Sequence, residues 1–316
     1  MAELPRAQVM ALEANFCRVR LENPGPAEQR LLLCTRRSRL AHEGVQVMVG
    51  DWVGLEGIDW LDGRAAIAAL EPRHSCLQRP ALANADRVVV VVALAQPSLD
   101  LDGLSRFLLS AETTGLEVLP LLSKADLVTQ QDLNQWLERI GSWGYEPLSF
   151  SLSDSPAIER LRERLDVGIS VLCGPSGVGK SSLLNSLLPE LQLRTAAVSG
   201  KLQRGRHTTR HVELFPLGNS ALLADTPGFN RPELPTKAKD LAYLFPEIRN
   251  QLKAGVLCKF NDCLHQGDPG CVVGSDWDRY GFYLSCVETA QKDQASWRVN
   301  RNITLSQRKN SSKTNA

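Results

Sequence analysis

The octapeptide Gly174-Pro175-Ser176-Gly177-Val178-Gly179-Lys180-Ser181 satisfies G-x-x-x-x-G-K-[ST] at every position, and the motifs around it come in an order that restricts the fold more than the loop alone does. Downstream, Asp225-Thr226-Pro227-Gly228 fits the D-x-x-G of a magnesium-side switch. A base-reading motif ordinarily follows both. Here its candidate, Leu122-Ser123-Lys124-Ala125-Asp126, precedes both. A nucleotide-binding domain read in this order is circularly permuted, with its switch region near the domain's C-terminal end.

The flanking patterns agree with that reading. The run Arg87-Val88-Val89-Val90-Val91-Val92-Ala93-Leu94 is what a strand buried on both faces of a parallel sheet looks like. Residues 101–114 carry Leu104, Phe107, Leu108 and Ala111 at helical spacing. A strand over 118–122, a helix over 132–143, a strand over 170–173, a helix over 181–188 and a strand over 221–224 complete a β-α alternation, which predicts a doubly wound sheet. Before it, residues 15–22, 30–35 and 45–55 alternate as short strands, with turn signals at Pro24-Gly25 and Gly50-Asp51. About five short strands in that length predict a small barrel, an OB-fold first and an SH3-like barrel as the alternative. After about residue 235 the pattern turns helical. The expected parts are a barrel over 1–78, a permuted P-loop domain over 79–235, a helical metal-binding domain over 236–295 and a basic, disordered tail over 296–316.

The nucleotide chemistry can be assigned residue by residue. A strand, a glycine-rich turn and a helix gather backbone N–H groups around an anion, and the helix dipole adds to them. Lys180 brings a full charge to the β/γ-phosphates, and Ser181 offers its hydroxyl to Mg²⁺, with Ser182 beside it in the first turn. Asp225 would hold the magnesium shell, and the Gly228 N–H would sense the γ-phosphate. Lys124 and Asp126 would recognise guanine, because a carboxylate accepts from both N1–H and N2–H₂ and adenine lacks that pair. Ala125 lies between them. Ser123 stands where N-K-x-D has asparagine and predicts one amide contact fewer. Ser151, in Ser151-Leu152-Ser153, is the candidate for the second base-side loop.

Phe229 follows the D-x-x-G, where Ras-like enzymes carry a water-positioning glutamine, so either hydrolysis is very slow or another group places the attacking water. Residues 202–211, between phosphate loop and switch, hold Arg204, Arg206, His207, Thr208, Thr209, Arg210 and His211. Thr208 or Thr209 would complete the magnesium shell.

Three of the 8 cysteines need an account of their own. Cys258-x₄-Cys263-x-His265-x₅-Cys271 supplies the Cys₃His set of a closed, structural zinc site, and its spacing is not that of a ββα DNA-reading finger. Cys17, Cys34, Cys76, Cys173 and Cys286 are scattered beside apolar residues and are expected to be small buried hydrophobes.

Composition adds little. A 43% hydrophobic and 22% charged chain of net charge +1 is ordinary for a globular protein, and the net charge argues neither for nor against nucleic acid. No run of eighteen apolar residues and no signal peptide is present, which predicts a cytoplasmic protein without a membrane span.

Together these features resemble the ribosome small-subunit-dependent GTPase A family of bacteria and chloroplasts, over about residues 10 to 290. The motifs that carry the resemblance are the small barrel, G-P-S-G-V-G-K-S, Gly205-Arg206-His207-Thr208-Thr209, the later Asp225-Thr226-Pro227-Gly228 and the Cys₃His cluster. The resemblance implies a GTPase stimulated by the small ribosomal subunit and acting late in its maturation. It also implies GTP and GDP as ligands with Mg²⁺, one structural Zn²⁺, rRNA as a partner and a monomeric chain. It assigns His207 a part in hydrolysis in place of the missing glutamine. An OB surface fits single-stranded or irregular RNA, with Arg36, Arg37 and Arg39 supplying charge and Trp52 or Trp60 a stacking face. Two other classes compete: a nucleotide-gated RNA-binding module with incidental hydrolysis, and a P-loop ATPase or kinase, against which Asp126 speaks.

Overall fold

The fold is a computed structural model that describes residues 4–37, 46–189, 212–218, 220–225, 232, 234–235, 237–252 and 255–293. Its N-terminal strands are β1 (Arg6–Leu12), β2 (Cys17–Leu21), β3 (Leu31–Arg36), β4 (Trp52–Asp59) and β5 (Arg64–Leu70). They lie in the order β1-β2-β3-β5-β4, and β4 returns to pair with β1. Only the β3–β5 pair is parallel. This is a closed five-stranded barrel of OB type. Closure leaves no free edge, and Val9, Val19, Leu32, Val53, Leu55 and Ile67 fill the interior.

Two barrel strands lack a clean apolar–polar alternation in their sequence. β1 is buried along nearly its whole length, because it pairs with β2 and β4 and also touches the neighbouring sheet. β5 reads Arg-Ala-Ala-Ile-Ala-Ala-Leu, a helix-favouring composition that barrel closure overrides.

A short hairpin, β6 (Cys76–Gln78) and β7 (Ala81–Ala83), leads into the second unit. There the chain runs β8 (Arg87–Ala93), α1 (Leu101–Glu112), β9 (Glu117–Ser123), α2 (Gln130–Ser142), β10 (Leu148–Ser149) and α3 (Ser155–Arg164). It continues with β11 (Val167–Cys173), α4 (Lys180–Leu187), β12 (Glu213–Pro216) and β13 (Ser220–Asp225). The sheet order is β10-β9-β8-β11-β13-β12, parallel except for β12. The valine run of β8 divides by parity, as a pleated strand requires. Val89 and Val91 pack with α3 and α4, whereas Val88, Val90 and Val92 pack with α1 and α2. Burying each such side chain contributes about 1.5–3 kcal/mol. Among the described residues a single strand pairing, Ala11 with Glu213, joins the barrel to this sheet, backed by a shared core of Met10, Leu82, Ile169 and Leu222.

The C-terminal unit holds α5 (Ala238–Leu241), α6 (Pro246–Leu252) and α7 over 280–293, with the cysteine cluster between the last two. Phe245, Ile248, Tyr283 and Val287 form its core, which also takes in Leu109 from α1. Among the described residues no helix is long and apolar enough to cross a membrane. The tail over 296–316 lies outside the described residues.

Candidate nucleotide site and metal centre

The direction of the chain reverses between β8 and β11. From β8 the chain steps outward to β9 and β10, and from β11 it steps the other way to β13. In open α/β sheets the crevice at the carboxyl ends of the strands beside such a switch point is where ligands bind. The registers Cys173↔Val90, Ala93↔Ser123 and Val171↔Ala224 bring the phosphate loop, the base-side motif and Asp225 to that one edge.

The loop is shaped by its glycines. Gly174 has φ +134°, and a Cβ there would stand 2.1 Å from the Val91 carbonyl oxygen, so any side chain is excluded where the loop leaves β11. Pro175, Ser176 and Gly177 arch outward and Val178 turns back into the core, 1% exposed. Gly179 caps α4, whose first turn presents Lys180, Ser181 and Ser182. The Lys180 ammonium folds over the loop and donates to the carbonyls of Gly174 and Pro175 at 2.7 and 2.6 Å.

The base-side residues meet the loop from β9. The Ser123 hydroxyl is buried and lies 2.6 Å from the Val178 carbonyl oxygen and 3.1 Å from that of Val92. Lys124 takes a left-handed backbone conformation and donates from Nζ to the Gln96 carbonyl. Asp126 sits in the short 3₁₀ turn Ala125–Leu127 with its side chain exposed. The Ala125 N–H donates to the Phe150 carbonyl at 3.2 Å, and the Phe150 N–H to the Leu122 carbonyl at 2.9 Å. These bonds set the segment of Ser151 beside the base-side motif. Ser151 is buried, with its Oγ 3.0 Å from that of Ser153. The contacts of Ser123 and Phe150 have no signature in the sequence.

The backbone of Asp225 ends β13, paired with Glu213. Its side chain, and Gly228, Arg204, Arg206, His207, Thr208, Thr209 and Phe229, lie outside the described residues.

The four Cys/His residues converge. Cys258, Cys263, His265 and Cys271 bring one ligand atom each to within 4.8 Å of the others. The three sulfurs stand 3.5, 3.7 and 3.5 Å from His265 Nδ1. A tetrahedral ion with Zn–S about 2.3 Å and Zn–N about 2.0–2.1 Å puts sulfur and nitrogen about 3.6 Å apart, so the cluster has the dimensions of a closed zinc site. Burial lowers the His265 pKa, which favours the neutral imidazole a metal needs. Burial, together with Cys263 and Cys258, pushes the Cys271 thiol up to about 12. A cation among the sulfurs would reverse that shift.

Of the other cysteines, Cys17, Cys34, Cys173 and Cys286 are buried as expected, and burial drives Cys34 and Cys173 to about 12. Cys76 departs from the expectation. It is exposed, because β6 belongs to a two-stranded hairpin with one open face.

On the barrel, Arg36 ends β3 and is exposed, and Arg37 is exposed and paired with Glu56. Arg39 lies outside the described residues. Trp52 is half-buried beneath the Arg6 guanidinium, 3.9 Å from its ring centre. Trp60 stands at the β4–β5 hairpin, 37% exposed and packed over Gly25.

Residues 70–235 match the model of the RsgA GTPase family. A protein of Synechococcus sp. (strain CC9605) named Small ribosomal subunit biogenesis GTPase RsgA is 58% identical over 280 residues, 88% of this chain and 92% of that one. A protein of the same name from Prochlorococcus marinus (strain MIT 9303) is 50% identical, over 91% of this chain and 94% of its own length. Among solved structures, YjeQ from Thermotoga maritima superposes with a TM-score of 0.73 at 26% identity, covering 91% of this chain and 98% of that one. YloQ, described as a circularly permuted GTPase, superposes with a TM-score of 0.73 at 27% identity, covering 92% and 96%.

Proposed function

The chain belongs to the RsgA GTPase family and is a GTP hydrolase, and from that premise we propose that it acts in maturation of the small ribosomal subunit, which stimulates its turnover. The observation that carries the proposal is the name shared by relatives that match 88% and 91% of the chain.

In this reading the phosphate loop from Gly174 to Ser181, with Ser182, binds the phosphates. Ser181 and Asp225 hold Mg²⁺ with Thr208 or Thr209, and Gly228 senses the γ-phosphate. Asp126 accepts from guanine, the Lys124 stem lies along the base, and Ala125 and Ser151 flank it. The buried Ser123 hydroxyl serves from beneath by holding the phosphate loop. Cys258, Cys263, His265 and Cys271 bind one structural Zn²⁺. The barrel, with Arg36, Arg37 and Arg39, faces rRNA, and Arg37 contributes less than a free cation because Glu56 partly neutralises it. The division at residues 78, 235 and 295, a cytoplasmic location and a monomeric state belong to the same proposal.

The test is GTP turnover measured with and without purified small ribosomal subunits. Stimulation by the small subunit, and none by the large one, is the expected result. Equal turnover with and without it overturns the proposal.

A further inference from the structure

We infer that Asp278, in the metal-bearing unit, is a positioning residue for guanine recognition, holding in place the turn from which both base-side loops hang. The inference deepens the proposed roles of Asp126 and Ser151 and rests on that reading.

The two base-side loops are the two ends of one excursion of the chain. It leaves the sheet at Ser123, passes Asp126, and enters α2 at its cap, Thr129. It turns at residues 143–145 and re-enters the sheet at β10, just before Ser151. β10 pairs with β9 only at Leu148↔Leu121 and Ser149↔Leu122, and the Phe150 bonds to Leu122 and Ala125 tie the two loops to each other but do not reach the turn behind them. An edge strand of two residues does not fix its own position, so the turn behind it needs another hold.

The C-terminal unit supplies three holds. First, Asp278 accepts from Arg139 Nε and Nη2 at 2.6 and 2.9 Å and from Trp143 Nε1 at 2.8 Å. A carboxylate meeting a guanidinium fork and an indole N–H has a defined direction as well as a charge contact. Second, the Arg279 guanidinium lies 4.5 Å from the Trp143 ring centre, and Glu247 clamps it at 2.7 and 2.6 Å. Third, Gly144 has φ +98°, and a Cβ there would stand 3.0 Å from Pro246 Cβ. The backbone of the turn is therefore pressed against the start of α6. Trp143 and Ile140 share a core with Leu122 and Val92, so a shift of the turn reaches the end of β9, from which the base-side motif leaves, through packed side chains.

Asp278 also carries a charged hold on a partly exposed edge, its side chain 33% exposed and that of Arg139 39%. An exposed ion pair contributes little to stability. Its bidentate geometry still fixes the orientation of α2, so its removal is expected to be felt in base discrimination before it is felt in unfolding.

The test measures binding of GDP and of IDP, which lacks the 2-amino group, to the full-length, zinc-loaded protein. Asp278→Asn keeps an acceptor for Trp143 and removes the charge from Arg139. It is expected to lower the preference for GDP over IDP about threefold to tenfold, in the lower part of the range of couplings between neighbouring groups. Arg139→Met is expected to do the same, and the double variant no more than either. An unchanged preference in variants that keep their zinc and unfolding midpoint overturns the inference, as does equal weakening of GDP and IDP. If the unsubstituted protein itself shows no preference for GDP over IDP, the base-reading premise has failed instead.

Discussion

The Ser123 hydroxyl lies 2.6 Å from the Val178 carbonyl oxygen, a buried hydrogen bond that ties the base-side motif to the phosphate loop across 55 positions of sequence. Val92 offers a second acceptor at 3.1 Å, and the hydroxyl has one proton for both. A serine in place of asparagine thus still reaches the phosphate loop, and it does so directly from the end of β9.

Ser123→Ala removes that tie without adding volume. A buried hydrogen bond contributes about 1 kcal/mol net, so nucleotide affinity is expected to fall about fivefold, with a similar small loss of stability. Titration with a fluorescent GDP and denaturant unfolding read the two effects. Unchanged GDP affinity would mean that the backbone pairs of Ala125 and Phe150 alone set the spacing of the loops.

Asp126→Asn reverses one hydrogen-bond direction at the base. Preference is expected to move from GTP toward XTP, whose ring presents an acceptor where guanine has its 2-amino donor. Competition between the two nucleotides checks it, and a variant that still prefers GTP as the native protein does removes Asp126 as the base reader.

Cys263→Ala leaves a closed site with three ligands. Metal binding and folding are coupled in small domains, so zinc content is expected to drop and proteolysis within residues 245–290 to increase. The phosphate loop lies on another unit, so phosphate affinity stays nearly intact, and any loss appears in base discrimination through Asp278. Full zinc content and unchanged cleavage would show that the thiolate is not a ligand.

His207→Ala is expected to abolish most of the subunit-stimulated turnover while leaving GTP binding and subunit binding nearly unchanged. The reason is chemical. Phe229 cannot orient water by hydrogen bonding, and an imidazole in the first-switch segment can. Single-turnover rates with and without subunits measure it. Full stimulation in the variant would move the role to Arg204 or Arg206.

Much of the architecture is legible in the chain because the relevant signals are local. The valines of β8 mark a strand buried on both faces, and the loop from Gly174 to Ser181 marks a strand-turn-helix junction. The Cys/His spacing marks a chelate before any coordinate is known. Elements whose burial is decided by distant neighbours were not legible. β1 loses its alternation because two units share it, and the alanine-rich β5 favours no strand by composition until the barrel closes around Ile67. Neither α3 nor β12 is predicted from the sequence, although Ile158 and Leu161 of α3 stand at helical spacing behind the Asp154 cap.

The sequence by itself determined the chemistry available to this protein. It specified the phosphate loop, the carboxylate before it, the metal ligands and the order that makes the domain permuted. Tertiary structure alone decided how those groups are held. Ser123 meets Val178, Asp278 meets Arg139 and Trp143, and Gly144 lies against Pro246 only after the sheet and the C-terminal unit have packed. The physical reason is range. Motifs and periodicities reflect hydrogen bonding and packing within a few residues, whereas these contacts join positions from 55 to 139 apart, whose proximity depends on the whole chain.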